Sequence, residues 1–440
     1  MNEITKTTKF KFTTNYIRKS WLSIFQQKSY HWLEAVSLIP QNDLSLLWIN
    51  SGVATLKKYF NNPSLLPARN LVNCQRVIRT DDLANINVQS YHQTLFEMLG
   101  NFSIGSNFKY EIIPIIWEWF TSSQWLGIDV KRLFITVWEN DKVSLKVWKK
   151  QQVKDDHIIF GDKKTNFWDM GDGPCGPNTE IYYDLQLTDK LPRKIEELDN
   201  KRFIEICNIV FPEFYHKTNN YLPLAEKCVD TGAGLERIAM VLQNKKNAFE
   251  IDLWAPVIEL IHSYNKEKIF EEAKGNYYVI ADHLRTTIFA LSDGADFEHK
   301  GRGYILKKLV KKATLFAYLL NLNSDNLKNI SEKLIEINSF YYHQLKEKQE
   351  LIISKLQREI DRTLGFISKS NLILDNYFSP KITAKEIFFW YDTRGIPLEL
   401  IFFYLKNKNY EFPEKEFNKL LEQQKEKSSH DRKKKGVETF

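Results

Sequence analysis

The sequence predicts an α+β fold, in which a mostly antiparallel β-sheet is flanked by helices and followed by an α-rich region. Before about residue 245, aromatic and β-branched runs alternate with Gly, Pro and Asn turns, which is typical of strands and hairpins. After that point such breakers become rare, and apolar residues recur at helical spacing. We therefore expect two domains, a sheet-containing domain over residues 1–245 and a helical domain over residues 246–440.

Composition limits the class of protein further. The chain has 440 residues, of which 43% are hydrophobic and 14% aromatic, so it can bury a sizeable core. Its formal net charge of +7 permits a polyanionic partner without requiring one. The four cysteines lie far apart and form no Cys-x-x-Cys pair, so we expect a reducing compartment and no structural zinc. No apolar run approaches the ~20 residues of a membrane span, and we expect a cytoplasmic protein without a membrane partner.

Several segments of the first half favour strands. They combine β-branched and aromatic residues with flanking turn residues, and they are LSLLWINSG, RLFITVWEND, KVSLKVWKK, EICNIVFPEF and YLPLAEKCVDTG. Residues 73–105 predict two long strands joined by a polar loop. The first of these strands carries Arg76 and Arg79, and the second carries His92, Phe96 and Glu97.

The stretch VDTGAGLERIAM, residues 229–240, closes the first half. Its apolar residues recur at i, i+3, i+4 and i+7, which predicts a helix that begins near Gly234. A dinucleotide-binding fingerprint would need glycine where Arg237 stands and a parallel sheet around it, so that interpretation fails. Amides at a Gly-x-Gly turn and the guanidinium of Arg237 could together hold phosphate oxygens. The alternative is that Asp230 or Thr231 only caps the helix and Arg237 is a solvated surface charge.

The second half contains segments with helical spacing, among them AFEIDLWAPVIELIHSYN, YYVIADHLRTTIFALSDG and the long run that begins SEKLIEIN. In GRGYILKKLVKKATLFAYLL, apolar side chains fall on one side of the helix and lysines on the other, namely Lys307, Lys308, Lys311 and Lys312. A lysine face is usually only solvated. Beside Arg302 and Tyr304 it also fits a track for nucleic-acid phosphates, and both interpretations stay open.

Taken together, the motifs resemble those of the class II aminoacyl-tRNA synthetases. That class has an arginine before a loop, His-x-x-x-Phe after it, and later Gly-x-Gly-x-x-Arg, as this sequence does. Longer segments sharpen the resemblance to the alanine-specific family of this class. They occur in order over about residues 15–425 and include LFEMLGNFSIGSNFK, NFWDMGDGPCGPNTEIYYD, NIVFPEF, IADHLR and WYDTRGIPLEL. The resemblance implies a class II antiparallel sheet followed by a helical tRNA-recognition domain.

The resemblance also implies an activity and its residues. The family activates alanine with ATP to alanyl-adenylate and transfers it to the 3′ end of tRNA(Ala). The implied catalytic residues are Arg79, on the α-phosphate, and Arg237, on the triphosphate tail. The implied ATP site comprises Arg79, Phe96, Glu97, Met98, Gly232, Gly234 and Arg237, with Phe96 stacked on adenine. The implied alanine site comprises Trp168, Asn208, Asp230 and Gly232, with Asp230 paired to the ammonium group. Mg²⁺ accompanies ATP, and we assign no ligand to it.

For tRNA, the resemblance implies contact with the acceptor stem and its G·U wobble pair, read from the minor groove. The implied residues are His299, Arg302, Tyr304, Lys307, Lys308, Lys311 and Asp392. His299 stands where the family has asparagine, and an imidazole can still donate or accept a hydrogen bond. The loop after Arg79 reads Thr80, Asp81, Asp82 and Leu83 in place of the family's Gly-Gly-Lys-His, so a positive charge is missing there.

The segment DMGDGPCGPNTE allows other interpretations. Cys175 could be a nucleophile, but no His/Asp partner is legible in the sequence. Asp169, Asp172 and Glu180 could form a metal cluster. The spacing of Gly and Pro favours a rigid turn that lines the amino-acid site instead.

The sequence stops before the editing and C-terminal domains of the family. We therefore expect a monomer that charges some serine or glycine and cannot remove it, because one small group is worth only about 1–3 kcal/mol of discrimination. Two other functions stay open. One is an amino-acid-activating ligase with an acceptor other than tRNA, and the other is a non-catalytic RNA-binding paralogue.

Overall fold

The computed structural model describes residues 11–434, except 42–45, 57–58, 60–62, 81–85, 87–90, 170, 200, 219 and 266–268. For residues 425–434 it describes the backbone alone. The altered loop after Arg79 falls largely within these exceptions, so Asp81, Asp82 and Leu83 lie outside the described residues.

A mixed, mostly antiparallel sheet dominates the first half of the described chain. Its strands are β1 His31–Trp32, β2 Asn70–Ile78, β3 Leu95–Ile104, β4 Leu133–Trp138, β5 Ile158–Gly161, β6 Phe167–Trp168, β7 Gly173–Asp184, β8 Phe203–Val210, β9 Phe214–Lys217, β10 Asn220–Pro223 and β11 Cys228–Gly234. The main path runs β1-β2-β3-β11-β8-β7-β4-β5, and β6 and β9 attach to β7. The β1–β2 and β4–β5 pairs are parallel, and the other neighbours are antiparallel.

Helices flank this sheet and make up most of the chain after it. In the first half they are α1 Thr14–Gln27, α2 Lys109–Thr121, α3 Lys142–Lys150 and α4 Leu235–Leu242. The second half contains α5 Ala255–Ser263, α6 Phe270–Ser292, α7 Gly301–Leu319, α8 Ser324–Ser339, α9 Gln344–Glu347, α10 Gln349–Tyr377, α11 Ala384–Phe388, a π-helix Phe389–Thr393, α12 Leu398–Asn407 and α13 Glu414–Lys434. The α+β prediction is therefore confirmed.

Two predicted strands are wrong. Over the described part of LSLLWINSG, residues 46–52, the chain forms bends and irregular structure instead of a strand, and a short 3-10 helix, Val53–Leu56, follows it. KVSLKVWKK forms helix α3, although Val143, Leu145 and Val147 alternate as in a strand. Asp141 caps this helix by accepting a hydrogen bond from the amide of Ser144 at 3.0 Å. The face that α3 buries contains Val147 and Trp148, so tertiary packing overrides the alternation.

The two largest of four hydrophobic clusters hold most of the described core together. The larger extends from Ile17 in α1 through the sheet to Ile360 in α10, so the sheet and the first helices of the second half share one core. The smaller lies between Leu315 and Phe417. The domain boundary near residue 245 stays a prediction.

No helix in the described ranges combines the length and apolar character needed to cross a bilayer. The cytoplasmic location and the monomeric state stay predictions from the sequence.

Candidate active site

Predicted site residues from neighbouring strands share one face of the sheet. In β11 the exposure alternates, so that Asp230, Gly232 and Gly234 are half-buried and the residues between them are buried. Gly232 pairs with Asn208 of β8, and Gly234 pairs with Met98 of β3. Side chains of directly opposite residues point to the same side of a sheet. We call this side the open face, and it carries Phe96, Met98, Asn208, Asp230, Gly232 and Gly234.

The two glycines of VDTGAGLERIAM lie in strand β11, so the predicted Gly-x-Gly turn is wrong. Helix α4 begins directly after them, as predicted. A Cβ atom on Gly232 would lie 3.1 Å from Sδ of Met98, and one on Gly234 would lie 3.4 Å from Cγ of Arg237. The glycines thus leave room for two neighbouring side chains, and the stem of Arg237 passes over Gly234.

Asp230 is a carboxylate without a partner among the described residues. No side-chain hydrogen bond or ion pair engages it, and burial raises its pKa from 3.8 to about 7. A buried carboxylate without a partner is destabilising, and a cation beside it restores the ionised form. The geometry therefore fits a bound amine at this position.

Asn208 is fixed at both ends of its amide. Its Nδ2 donates to Oε1 of Glu180 at 3.2 Å, and its Oδ1 accepts from Nδ2 of Asn178 at 3.1 Å. The other oxygen of Glu180 accepts from the hydroxyl of Tyr182 at 3.0 Å. Burial, and then the charge of Glu205, raise the pKa of Glu180 to about 7. Asn208 thus presents a preorganised group beside Asp230.

Two arginines from distant parts of the chain stand against aromatic rings and approach the open face. Arg79 follows β2, and its guanidinium carbon lies 5.3 Å from the ring centroid of Phe96. The guanidinium carbon of Arg237 lies 4.8 Å from the ring centroid of Tyr91. Its Nη1 donates to the carboxylate of Glu205 at 3.1 Å and to the carbonyl oxygen of the same residue at 3.0 Å. Each guanidinium is therefore oriented before any ligand binds.

Glu205 and Tyr91 also contact the predicted site residues, and the sequence did not predict either of them. Strand β8 has a β-bulge, because Ile206 has no partner in β7 while its neighbours on both sides do. A bulge re-aims the side chains next to it. Glu205 and Asn208 are three residues apart and would face opposite sides of a regular strand, yet both are half-buried on the same side here. No local sequence pattern predicts such a bulge. Tyr91 was not predicted as a site residue because it lies in the polar loop segment between the two strands.

Glu97 does not reach the open face. It lies on the opposite side of β3 and is 0% exposed. Its carboxylate accepts from Arg18 at 2.8 Å and from the hydroxyl of Tyr342 at 2.7 Å. Burial alone would raise the pKa of Glu97, but the charges of Arg18 and Arg285 lower it to about 2. The structure thus separates Glu97 from the other predicted ATP-site residues.

Trp168 lies at the edge of the sheet in β6. It is half-buried and pairs with Gly176 of β7. The next residue, Asp169, is held by His216 at 2.9 Å and by the hydroxyl of Tyr221 at 2.6 Å. These bonds anchor the segment that carries Trp168 to the β9–β10 hairpin.

The alternative interpretations of DMGDGPCGPNTE receive no support. Cys175 lies in strand β7, it is buried, and burial raises the pKa of its thiol, which is opposite to the change in an activated nucleophile. Asp169 contacts the β9–β10 hairpin while Glu180 contacts Asn208. Over the described ranges, no group of three or more His, Cys, Asp or Glu side chains is arranged to hold a metal ion. From Gly173 onward the segment is a strand, so the predicted rigid turn is limited to the residues before it.

Helix α7 has the two sides that the sequence predicts. Leu306, Leu309 and Val310 are buried, whereas Lys308 and Lys311 are exposed and Lys307 is half-buried. Tyr304 is 45% exposed, and Nζ of Lys308 lies 4.8 Å from its ring centroid.

The remaining predicted tRNA residues lie at the start of α7 and in the π-helix. His299 is exposed. Arg302 donates to the carbonyl oxygens of Leu46, at 3.2 Å, and Leu47. Asp392 is exposed in the π-helix and accepts a hydrogen bond from Gln424 of α13. π-Helical turns are rare and occur frequently at functional sites.

The antiparallel sheet thus presents two guanidinium groups and a partnerless carboxylate on one face, where an anion and a cation could be bound side by side. The profile of tRNA synthetases class II (A) matches residues 16–439, and the chain belongs to this family.

Several relatives with curated names are alanine–tRNA ligases. That of Mesoplasma florum is 42% identical over 447 residues, which cover 96% of this chain and 50% of the relative. That of Malacoplasma penetrans is 41% identical over 411 residues, covering 89% and 44%. That of Bacillus subtilis is 37% identical over 438 residues, covering 96% and 49%. The chain thus spans about half the length of the curated relatives it matches. Among solved structures, apo S. aureus histidyl-tRNA synthetase aligns with 57% of this chain and 73% of its own, at 14% identity and a TM-score of 0.36.

Proposed function

We propose that this chain activates alanine with ATP and transfers the alanyl group of alanyl-adenylate to the 3′ end of tRNA(Ala). The observation that carries the proposal is the partly buried, partnerless carboxylate of Asp230 on the same sheet face as Asn208 and Gly232. The names of the relatives support alanine as the amino acid.

In this proposal, Asp230 binds the ammonium group of alanine. Burial makes an ammonium partner favourable there, since the pair restores the charge that burial opposes. The amide of Asn208, locked by Asn178 and Glu180, orients the amino acid. Gly232 adds no side chain, and Trp168 closes the site from β6. A site of this kind favours a small side chain.

The reaction joins an oxygen of the alanine carboxylate to the α-phosphorus of ATP and releases pyrophosphate. Arg79 neutralises charge on the α-phosphate, Phe96 stacks with adenine, and Arg237 binds the triphosphate tail. Catalysis then consists of positioning the reactants and stabilising the developing charge. Arg237 must exchange its bond to Glu205 for bonds to phosphate, which charge-assisted contacts with a guanidinium favour.

Mg²⁺ fits the same place. This ion is commonly held by one or two carboxylates together with substrate phosphates and water. Glu205 offers a carboxylate that is 35% exposed beside Arg237, and it is the residue that would hold the ion. When bound, Mg²⁺ would supply further neutralisation of phosphate charge. Because the donors would include ATP itself, a three-residue protein cluster is not required.

For tRNA, we propose that the exposed side of α7 binds phosphates of the acceptor stem. The residues concerned are Arg302, Tyr304, Lys307, Lys308 and Lys311. Asp392 and His299 would read polar groups in the minor groove, where a G·U pair exposes atoms that regular pairs do not. The hydrogen bond from Gln424 fixes the carboxylate of Asp392.

Two assays test the proposal. Alanine should drive exchange of labelled pyrophosphate into ATP, whereas leucine should not. The protein should then charge tRNA(Ala) with its G·U pair and fail with a matched tRNA in which that pair is G·C. Exchange without charging of either tRNA would indicate a ligase with another acceptor. RNA binding without exchange would indicate a non-catalytic paralogue.

A further inference from the structure

On the side where β3 pairs with β11, strand β3 begins before β11 has reached it, so its first residues have no partner in β11. The last residue of β11 is Gly234, which lies opposite Met98, and the chain then turns into α4. On this edge, the backbone groups of Leu95 and Glu97 therefore have no strand partner. Unpaired backbone groups in a protein interior are costly, so other groups must satisfy them.

Side chains from two helices replace the missing strand. The amide of Glu97 donates to the carboxylate of Glu236 in α4 at 3.0 Å. The carbonyl oxygen of Leu95 accepts from Nη1 of Arg285 in α6 at 3.2 Å. The amide of Thr94 donates to Oδ1 of Asp282 in α6 at 2.8 Å. Asp282 and Arg285 belong to IADHLR, a motif that the proposed function leaves without a role.

Arg285 is the centre of this arrangement. It is 1% exposed, and besides Leu95 it contacts Glu236 at 3.1 Å and Glu97 at 3.4 Å. Its Nε donates to Oδ1 of Asn338 in α8 at 3.2 Å. The planar guanidinium can serve all these acceptors at once, which a lysine ammonium on a single flexible stem cannot.

The network ends one residue away from both proposed nucleotide contacts. Phe96 lies between Leu95 and Glu97, whose backbone groups are held by Arg285 and Glu236. Arg237 directly follows Glu236. A shift of this edge would therefore turn the ring of Phe96 and move the start of α4 together.

We propose that Arg285 and Asp282 are positioning residues for ATP. They hold the first residues of β3 so that Phe96 lies on the open face, and through Glu236 Arg285 also fixes the position of Arg237. This inference rests on the proposed function, and it makes the ATP site depend on a helix of the second half. The alanine site depends on the network less, because Asp230 and Asn208 lie where β11 and β8 pair regularly.

The first variant is Arg285→Lys, which keeps the buried positive charge. ATP affinity is measured by calorimetry without alanine or tRNA, and the KM for alanine is measured by pyrophosphate exchange. We expect ATP to bind about tenfold more weakly, a loss typical of a displaced base-stacking ring. The KM for alanine should stay within about twofold of wild type, because the alanine site depends on the network less. A uniform loosening of the fold would instead weaken ATP binding and raise the KM for alanine together.

A second pair of variants covers the case in which Arg285→Lys does not fold. Asp282→Ala removes the acceptor of the Thr94 amide and should weaken ATP binding. Asp282→Asn keeps a side-chain oxygen that can accept from the Thr94 amide, and it should therefore bind ATP as wild type does. As a matched control, Lys109→Arg alters another buried cation, which lies beyond the opposite end of β3 between Asp141 and Glu213. It should leave ATP affinity unchanged.

The proposal is overturned if folded Arg285→Lys and Asp282→Ala bind ATP as wild type does, or if the constants for ATP and alanine rise together. ATP affinity does not depend on the amino acid used. A wild-type protein that binds ATP but shows no exchange with alanine would contradict the proposed function, and the ATP constants of the variants would still decide this inference. A wild-type protein that binds no ATP would overturn both.

Discussion

At the scale of single residues, the charge state of Asp230 decides what binds on the open face. Its surroundings offer no hydrogen-bond donor among the described side chains, so burial raises its pKa without opposition. Glu97 presents the opposite case. It is more deeply buried, yet two arginines and a tyrosine hydroxyl keep its pKa low. The carboxylate of Glu97 is thus paired with cations of the protein itself. The carboxylate of Asp230 has no such partner among the described residues and can pair with a cation from solution.

Replacing Asp230 by asparagine keeps the shape of the side chain and removes its charge. We expect Asp230→Asn to raise the KM for alanine roughly tenfold to a hundredfold, because a hydrogen bond to a charged group is worth about 1.5–3 kcal/mol. ATP affinity, measured by calorimetry, should not change. Asp325→Asn, which alters an exposed carboxylate at the start of α8, serves as the matched control. A wild-type KM in Asp230→Asn would exclude the carboxylate as the ammonium site.

The KM for alanine should also depend on pH. Alanine keeps its ammonium charge from pH 5 to pH 8, so only the ionised form of Asp230 binds it well; with a pKa of about 7, that form is lost as the pH falls. The KM should therefore be constant above about pH 7 and rise below it, approaching tenfold per pH unit. Steady-state exchange assays across this range measure the profile. A flat profile, or one that rises toward alkaline pH, would contradict the raised pKa.

The same raised pKa has a consequence for stability. The folded protein without ligand binds this proton more tightly than the unfolded chain does. The stability contributed by Asp230 is therefore full below about pH 4 and declines as the pH rises through about 7. Glu180 acts in the same direction, because its pKa is raised as well. The melting temperature should fall between pH 5 and pH 8, and it should fall less in Asp230→Asn than in wild type. An equal fall in the two proteins would contradict the raised pKa of Asp230.

How far the sequence predicts the site differs from residue to residue. The structure places Asp230, Asn208 and the two glycines on one sheet face. Their roles at an alanine site and an ATP site, which the resemblance implied, stay predictions. The resemblance implied Glu97 for the ATP site, but strand alternation turns its side chain to the other face. The sequence does not predict that Glu205 faces the site, because the direction of its side chain depends on a bulge. That bulge arises from pairing with β7 and not from local residue preferences.

At the scale of elements, strong local signals agree with the structure where packing does not compete. The helix after Gly234 follows directly from its periodicity, and the two strands expected within residues 73–105 are present as β2 and β3. Helix α3 does not, since the alternation of its apolar residues imitates a strand. The Gly-x-Gly stretch is a strand because β3 and β8 pair with it on both sides, and such long-range pairing is invisible in a local pattern.

The exposed side of α7 carries the next prediction. Lys308→Gln combined with Lys311→Gln should raise the KM for tRNA. The slope of the logarithm of tRNA affinity against the logarithm of salt concentration should become shallower by roughly 0.7–0.9 for each phosphate that is no longer neutralised. Pyrophosphate exchange should be unaffected, because it needs no tRNA. Lys328→Gln, on the exposed side of α8, is the control. Unchanged tRNA kinetics in the double variant would mean that these lysines are only solvated.

At the scale of the whole molecule, the larger hydrophobic cluster joins the sheet to the helices that follow it. The change in sequence texture near residue 245 marks a change in secondary structure, and the core crosses it. The network around Arg285 crosses it as well, through contacts with β3 and α4. Composition could indicate a sheet region followed by a helical region, but it could not indicate that the two share a core, because that depends on contacts between residues far apart in the chain.

The central claim is that Arg79 and Arg237, which are far apart in the sequence, bind one ATP molecule on the open face. The most direct measurement is alanine-dependent pyrophosphate exchange by Arg79→Ala and Arg237→Ala, with the exposed Arg193→Ala as control. Each of the first two should lose at least about a hundredfold in rate, since each removes a preorganised charge from the transition state. The control should exchange as wild type does. A wild-type rate in either Arg79→Ala or Arg237→Ala would contradict the claim.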